Sequence, residues 1–298
     1  MLDANFFERL NRLRLGMTYK STQSMSGNRK SSQKGISAEF SDFRPYMQGD
    51  DLRRLDWNAY ARLDKLYIRE YMEEKETLVT VLIDTSASMD FGEPNKKELA
   101  MDLAKVISFL ALSNMDRLML YDMKHMEKGF LIGGGKQAIA KACKWLEKLE
   151  FGGEIHSLDA VKKMKKHASG MTVVISDFLM EGMLSKERPS PEEAPSLERL
   201  LQYLRFCKQR PVILHTLSPQ ELRTDLIGAL NLIDVETKER LRLTVDARAI
   251  SRYEKALSVF LTDMQRTCRK NQSAYILCDS GKKRDELVFH DLRVIYDI

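Results

Sequence analysis

The stretch that decides the fold is "VTVLIDTSASMDFG", residues 79 to 92. It begins as a short apolar run, which is typical of a strand buried on both faces of a parallel sheet. The run ends at Asp84, and Ser86 and Ser88 follow at two-residue steps. A buried strand that ends in a carboxylate and is followed by two spaced hydroxyls needs a chemical reason.

Outward from this stretch, strands and amphipathic helices alternate from about residue 78 onward. The pattern includes a helix over 95–113, a helix over 156–167 and a β-hairpin over 230–246. Strands separated by helices indicate right-handed crossovers. We therefore predict an α/β fold with a doubly wound, mostly parallel sheet covered on both sides.

The chain divides by composition into two parts. Residues 1–77 predict a small N-terminal β-rich extension, which includes a basic, Ser-rich mobile segment at 21–37. Residues 78–298 predict the α/β domain. Within the extension, "GDDLRRLDW" at 49–57 predicts an ion-paired structural network, with Trp57 filling a gap in the packing.

Charge and hydropathy exclude several classes of protein. The 48 basic and 43 acidic side chains leave a formal charge of only +5, and the basic runs lack interleaved aromatic residues, so no nucleic-acid partner is predicted. No stretch approaches the roughly 18 uncharged apolar residues that span a bilayer. The first residues also lack the apolar block of a signal peptide. We predict a cytoplasmic protein without a membrane span.

Two strand-end carboxylates point to a metal site. Asp84 ends one strand and Asp177 ends another, "MTVVISDF". At one edge of a parallel sheet they would repel each other unless a cation lay between them. Oxygen ligands from Asp and Ser suit Mg²⁺, or Mn²⁺. The competing interpretation is a polar strand-to-helix turn whose side chains cap backbone donors.

The spacing Asp84-x-Ser86-x-Ser88 resembles the metal-ion-dependent adhesion site (MIDAS) of von Willebrand factor A domains. That resemblance implies a metal held by Asp84, Ser86, Ser88 and Asp177, with an open position for a partner's carboxylate. The family also uses a Thr from a Gly-containing loop. The matching loop here, "FGGEIHSLDAV", has Glu154 at that position, which makes Glu154 a further candidate ligand.

A longer resemblance covers most of the chain. "EFSDFRPYMQGDDLRRLDWNAYARLDKLYIREYMEEKE" resembles the signature of the bacterial family called domain of unknown function 58, and "SPQELRTDL" and "DVETKERL" extend the match. Members are generally encoded beside MoxR-type AAA+ ATPases. The resemblance implies a non-enzymatic, metal-dependent interaction module. It would act as an adaptor or co-chaperone of such an ATPase in the assembly or maturation of client proteins.

An enzyme is the alternative function. Asp84 beside Mg²⁺ could act as the nucleophile of a metal-dependent phosphohydrolase. Phosphatases of that kind usually carry a second Asp two residues on, where this chain has Ser86, and no Lys stands in the expected context. A serine hydrolase has less support, because the chain has no GxSxG motif.

Overall fold

The computed structural model describes residues 3–16, 38–73, 77–155, 161, 162, 164, 169–179, 196–224, 226–233 and 240–297. The described residues form two compact units. The large unit comprises the described parts of residues 1–18 and 77–298, and the small unit comprises those of 19–76. The predicted segment at 21–37 and most of the predicted helix at 156–167 lie outside the described residues.

Helices and strands alternate through the large unit. The strands of the described chain are β1 (Arg14–Leu15), β2 (Ala38–Pro45), β3 (Tyr67–Glu73), β4 (Leu78–Ile83), β5 (Arg117–Asp122), β6 (Phe130–Ile132), β7 (Gly170–Ser176), β8 (Gln209–Leu217), β9 (Gly228–Ile233), β10 (Arg240–Val245), β11 (Ala274–Asp279) and β12 (Tyr296–Asp297). The helices are α1 (Ala4–Leu10), α2 (Trp57–Leu63), α3 (Lys96–Ser113), α4 (Ile139–Leu146), α5 (Ser196–Phe206), α6 (Pro219–Leu222), α7 (Ala247–Lys270) and α8 (Arg284–Phe289).

A central sheet of six strands has the order β11-β8-β7-β4-β5-β6. Its strands pair in parallel except at the β5–β6 edge, which is antiparallel. This confirms the predicted α/β class and the mostly parallel sheet. Strand β6 was not predicted, because its three residues are too few to show a period.

Both faces of the sheet are buried. Successive side chains of a strand point to opposite faces, and residues of β4 belong to two different cores. Val79, Val81 and Ile83 of β4 belong to a core that includes residues of α3, α4 and α8. Leu82 belongs to a second core with residues of α5 and α7. The uninterrupted apolar run of β4 is therefore explained by helices on both sides.

Helix α3 follows β4 and leads to β5. It begins after Asn95, whose side chain accepts a hydrogen bond from the backbone N of Lys97 and so caps the helix. Its apolar stripe is buried in the core from Leu99 to Leu112. The predicted β-hairpin is confirmed by the antiparallel pairing of β9 with β10.

The first residues of the chain belong to the large unit, whereas the sequence analysis grouped residues 1–77 as one extension. Phe6, Leu10 and Leu15 are buried in the core that contains α3. Strand β1 pairs antiparallel with β12, which joins the two ends of the described chain. This pairing links residues far apart in sequence, so local pattern does not show it.

The small unit contains the antiparallel pair β2–β3 and helix α2. Arg44 donates two hydrogen bonds to Asp50 at 2.8 and 2.9 Å, and the Asp56 side chain caps α2. The predicted role of Trp57 is wrong, since its side chain is 64% exposed. It is the first residue of α2, a helix with no buried residue.

Candidate functional site

The candidate site lies where the chain order of the strands reverses. From β4 the chain continues to β5 on one side, and later returns to β7 on the other side of β4. Ligands of open α/β sheets bind beyond the carboxyl ends of the strands at such a point. Asp84 follows β4 and Asp177 follows β7, so the fold brings the two predicted carboxylates to the same edge.

Asp84 is held by its backbone and by both carboxylate oxygens. Its backbone N donates to the carbonyl of Ile175 at 2.9 Å. Its Oδ1 accepts hydrogen bonds from the backbone N and Oγ of Ser86 at 2.8 and 2.6 Å. Its Oδ2 accepts from Ser176 Oγ at 2.5 Å. Only 1% of the residue is exposed, so the carboxylate is buried among neutral donors.

The two predicted hydroxyl ligands are adjacent. Ser86 Oγ and Ser88 Oγ lie 2.9 Å apart, with Ser86 buried and Ser88 half-buried. Ser86 precedes a short 3₁₀ turn, but its side chain makes no capping hydrogen bond to that turn. The capping interpretation therefore describes Asp84, which accepts from a backbone N, and fails for Ser86, whose hydroxyl is directed to Asp84.

Asp177 contacts a buried ammonium that the sequence analysis did not identify. Lys96 Nζ lies 2.7 Å from Asp177 Oδ2 and 2.6 Å from Glu221 Oε1. Lys96 is the first residue of α3 and is completely buried. Asp177 Oδ1 accepts from the backbone N of Leu179 at 3.2 Å.

We name these groups the rim cluster. It consists of Asp84, Ser86, Ser88, Lys96, Ser176, Asp177 and Glu221. Its side chains carry three carboxylates and one ammonium, so negative charge exceeds positive charge by two. Contacts across 81, 92 and 125 residues assemble it. Local sequence could indicate Asp84 and Asp177 but not these long-range partners.

The surroundings of Asp84 raise its pKa. Burial raises its pKa to about 6, and the negative charge of Asp177 acts in the same direction. The hydrogen bonds from Ser176 and Ser86 oppose this rise. A buried carboxylate whose pKa is raised by burial and by a neighbouring carboxylate is an arrangement that a cation stabilises.

Glu154 lies on a loop that the structure brings to the cluster. The backbone N of Gly152 donates to the carbonyl of Thr85, and that of Ala87 donates to the carbonyl of Gly153, both at 2.9 Å. Glu154 follows directly, but it is exposed, unlike Asp84 and Asp177. Its role as a metal ligand stays a prediction.

The end of the neighbouring strand β5 carries a third buried aspartate, Asp122. Asp122 Oδ1 accepts from Thr85 Oγ1 at 2.6 Å and from the backbone N of Lys124 at 3.0 Å. Lys124 Nζ donates to the carbonyls of Glu150 and Gly152, both at 2.8 Å. This group fixes the loop before Glu154, and the sequence analysis missed it.

His215 on β8 does not serve as a base for Ser86. Its Nδ1 is 2.8 Å from the Tyr275 hydroxyl, and its ring contacts those of Phe178 and Phe260 edge-on. Burial is the main reason that its pKa is lowered to about 4. The imidazole is therefore neutral near pH 7 and adds no positive charge beside Asp177.

Some, but not all, of the predicted ligands are suited to hold a hard divalent cation. Asp84, Ser86 and Ser88 offer oxygen atoms in one connected network, and the surplus charge matches two positive charges. Asp177 is already paired with Lys96, so its carboxylate fits better as a neighbour than as a direct ligand. Among the described residues, no group of three His, Cys, Asp or Glu side chains could hold a metal, so hydroxyls and water would have to complete the site.

The family model described as "Protein of unknown function DUF58" matches residues 42–259. The uncharacterized protein Mb1516 of Mycobacterium bovis is 25% identical over 254 residues, which cover 79% of this chain and 72% of that relative. The uncharacterized protein Rv1480 of Mycobacterium tuberculosis matches with the same values.

Where the chain is described, no helix has both the length and the apolar character needed to cross a membrane.

Two solved structures show a weak likeness. The conserved hypothetical protein BatB from Bacteroides thetaiotaomicron has a TM-score of 0.40 and 11% identity, over 74% of this chain and 98% of that one. An aerotolerance-related membrane protein from Bacteroides fragilis has a TM-score of 0.31 and 11% identity, over 65% and 98%. At these TM-scores, neither likeness supports a conclusion about function.

Proposed function

Because this chain belongs to the DUF58 family, whose description names no activity, we propose a function from its rim cluster: a non-enzymatic, divalent-cation-dependent protein-interaction module. We also propose that residues 78–298 form a von Willebrand factor A-like domain. The observation that carries the proposal is the surplus of buried carboxylate over ammonium beside two adjacent serine hydroxyls. Uncompensated buried charge is costly and is normally paired or bound to a metal.

In this proposal Asp84, Ser86 and Ser88 hold the cation, which is Mg²⁺ or Mn²⁺. Asp177 adds negative charge close by, and Glu154 is a candidate ligand on the adjacent loop. When bound, the cation supplies a Lewis-acidic position that a carboxylate of a partner or client protein can occupy. Asp84 stays ionised near pH 7, since its pKa is about 6.

The partner in this proposal is a MoxR-type AAA+ ATPase, with the chain acting as its adaptor or co-chaperone in assembly or maturation of clients. The support is the family resemblance in the sequence, and the rim cluster supplies a means of cation-dependent contact. The proposal includes a cytoplasmic location for the protein.

The phosphohydrolase alternative has less support from the geometry. Asp84 is 1% exposed, and hydroxyls of Ser86 and Ser176 donate to its two oxygens, so a nucleophilic attack would require their displacement. Lys96 supplies a lysine near the site, but its hydrogen bonds go to Asp177 and Glu221. Turnover of an aryl phosphate that is lost in Asp84→Asn would favour the enzyme.

A pull-down with the tagged full chain tests the proposal. We expect a MoxR-type ATPase to be recovered from native lysate with Mg²⁺, and to be lost with a chelator and in Asp84→Asn. Asp122→Asn is the matched control, because it changes another buried strand-end aspartate, which lies outside the rim cluster. Recovery of no ATPase under either condition, or equal recovery with and without the chelator, would contradict the proposal.

A further inference from the structure

The segment "SPQEL", Ser218–Leu222, reaches the rim cluster from the end of β8. Ser218 and Glu221 form a capping box that begins α6: Glu221 Oε2 accepts from the Ser218 backbone N at 2.7 Å, and Ser218 Oγ accepts from the Glu221 backbone N at 3.4 Å. The other carboxylate oxygen of Glu221 accepts from Lys96 Nζ. The Glu221 side chain therefore caps the N-terminus of α6 and also binds Lys96, the first residue of α3.

The same segment clamps the loop that carries the two serines. Gln220 Nε2 donates to the carbonyl of Glu93 at 2.8 Å, and the Glu93 backbone N donates to Gln220 Oε1 at 3.1 Å. Gly92 has a φ of +93°, and a Cβ atom at that position would lie 2.3 Å from Ser218 Cβ. The loop between β4 and α3 is thus seated directly on the start of α6.

Lys96 joins this segment to Asp177. A lysine in the first turn of a helix faces the positive end of the helix dipole, and burial adds a further cost. Its two carboxylate partners, at 2.6 and 2.7 Å, are at the distance of strong charge-assisted hydrogen bonds. The contact fixes Asp177 Oδ2, while the backbone N of Leu179 fixes Oδ1.

We propose that Lys96, Gln220 and Glu221 are positioning residues of the cation site. They do not bind the cation themselves. Glu221 and Lys96 hold the Asp177 carboxylate, and Gln220 holds the loop that carries Ser86 and Ser88. Contacts from α6 therefore fix the position of the Asp177 carboxylate relative to the loop that carries Ser86 and Ser88. This inference rests on the proposed function, because it assumes that a divalent cation binds at Asp84.

The direct test is the double variant Lys96→Met/Glu221→Gln. It removes one positive and one negative charge, so the net charge of the rim cluster is unchanged. Met nearly preserves the length of the Lys side chain, and Gln still accepts the capping bond from Ser218. By isothermal titration of the chelator-treated full chain, we expect Mg²⁺ to bind about 10- to 100-fold more weakly than to the wild type, the range seen when residues supporting metal ligands are changed.

A second variant covers the case in which the double variant does not fold. Glu221→Asp keeps every charge but shortens the side chain by one methylene, so its carboxylate cannot hold Lys96 and Ser218 in the same geometry. We expect weaker Mg²⁺ binding with a retained circular dichroism spectrum. Glu98→Gln is the control: it removes an exposed charge in the same first turn of α3, and we expect unchanged affinity.

The outcomes separate the two proposals. If the wild type shows no saturable Mg²⁺ binding, the proposed function fails and this inference fails with it. If the wild type binds and a folded double variant or Glu221→Asp binds equally well, the positioning roles are contradicted while the cation site stands.

Discussion

Asp84 and Asp122 end neighbouring parallel strands, and their carboxylates make the same local turn. In each case Oδ1 accepts from the backbone N two residues on, at 2.8 Å for Asp84 and 3.0 Å for Asp122. In each case the same oxygen also accepts from a hydroxyl at 2.6 Å, Ser86 Oγ or Thr85 Oγ1. By local geometry alone the two residues are nearly equivalent.

Their surroundings differ in charge. The negative charge of Asp177 helps to raise the pKa of Asp84, whereas Asp122 accepts hydrogen bonds from Thr85 and from the backbone N of Lys124. Asp279, at the end of β11, also accepts from the backbone N two residues on. On this edge of the sheet, an aspartate at a strand end thus commonly stabilises the turn that follows it. What distinguishes the candidate site is surplus negative charge, not the turn.

The largest expected effect comes from removing the internal cation of the rim cluster. Lys96→Met leaves the buried Asp177 and the half-buried Glu221 without their ammonium, and breaking a buried pair in this way costs about 3–5 kcal/mol of unfolding free energy. Urea unfolding followed by circular dichroism measures this loss.

Lys97→Met is its matched control on the next residue. The Lys97 side chain is 41% exposed and lies 3.6 Å from Asp90, so its loss should cost less than about 1 kcal/mol. Similar stabilities of the two variants would mean that the charges of the rim cluster are screened by water.

A gain in stability is expected when Asp84 is made neutral in the absence of metal. The pKa of Asp84 is raised from 3.8 to about 6 in the folded protein. Since one pKa unit corresponds to about 1.4 kcal/mol, Asp84→Asn should stabilise the chelator-treated protein by about 2–3 kcal/mol at pH 8.

The sign of this effect fixes its pH dependence. A raised carboxyl pKa adds stability below the unfolded value near 4, and this contribution is lost as the pH rises through about 6. The advantage of Asp84→Asn should therefore shrink as the pH falls from about 6 to about 4 in thermal unfolding. An equal advantage at pH 4 and pH 8 would contradict the assigned charge.

An effect smaller than those expected for Lys96 and Asp84 is expected on the Asp122 side of the comparison. Thr85→Val removes the hydroxyl that donates to Asp122 Oδ1, which still accepts from the Lys124 backbone N. We expect a loss of about 1 kcal/mol, the usual value for one hydrogen bond, and an unchanged Mg²⁺ affinity. A large fall in affinity would show that the Asp122 side belongs to the cation site.

The sequence predicted the sheet and the meeting of Asp84 with Asp177 because both depend on local pattern and on the topology of parallel sheets. The apolar runs of β4 and β7 identified buried strands, and strand-end residues of such a sheet share one edge. Trp57 was misjudged because an aromatic residue beside charges does not reveal whether it is covered.

The partners of the two aspartates could not be predicted in the same way. In the sequence Lys96 is an ordinary first-turn lysine next to Lys97, and only the fold shows that Lys96 is fully buried and Lys97 is not. Glu221 lies 125 residues from Lys96 along the chain. Such contacts depend on how the loops beyond the strands are placed, which no period in the sequence encodes.

The central claim is that Asp84, and not its counterpart Asp122, belongs to a divalent-cation site. Isothermal titration of Mg²⁺ into the chelator-treated full chain tests it most directly, with Asp84→Asn and Asp122→Asn measured alongside the wild type. We predict saturable binding by the wild type and by Asp122→Asn, and none by Asp84→Asn. No saturable binding by the wild type, or equal binding by all three proteins, would contradict the claim.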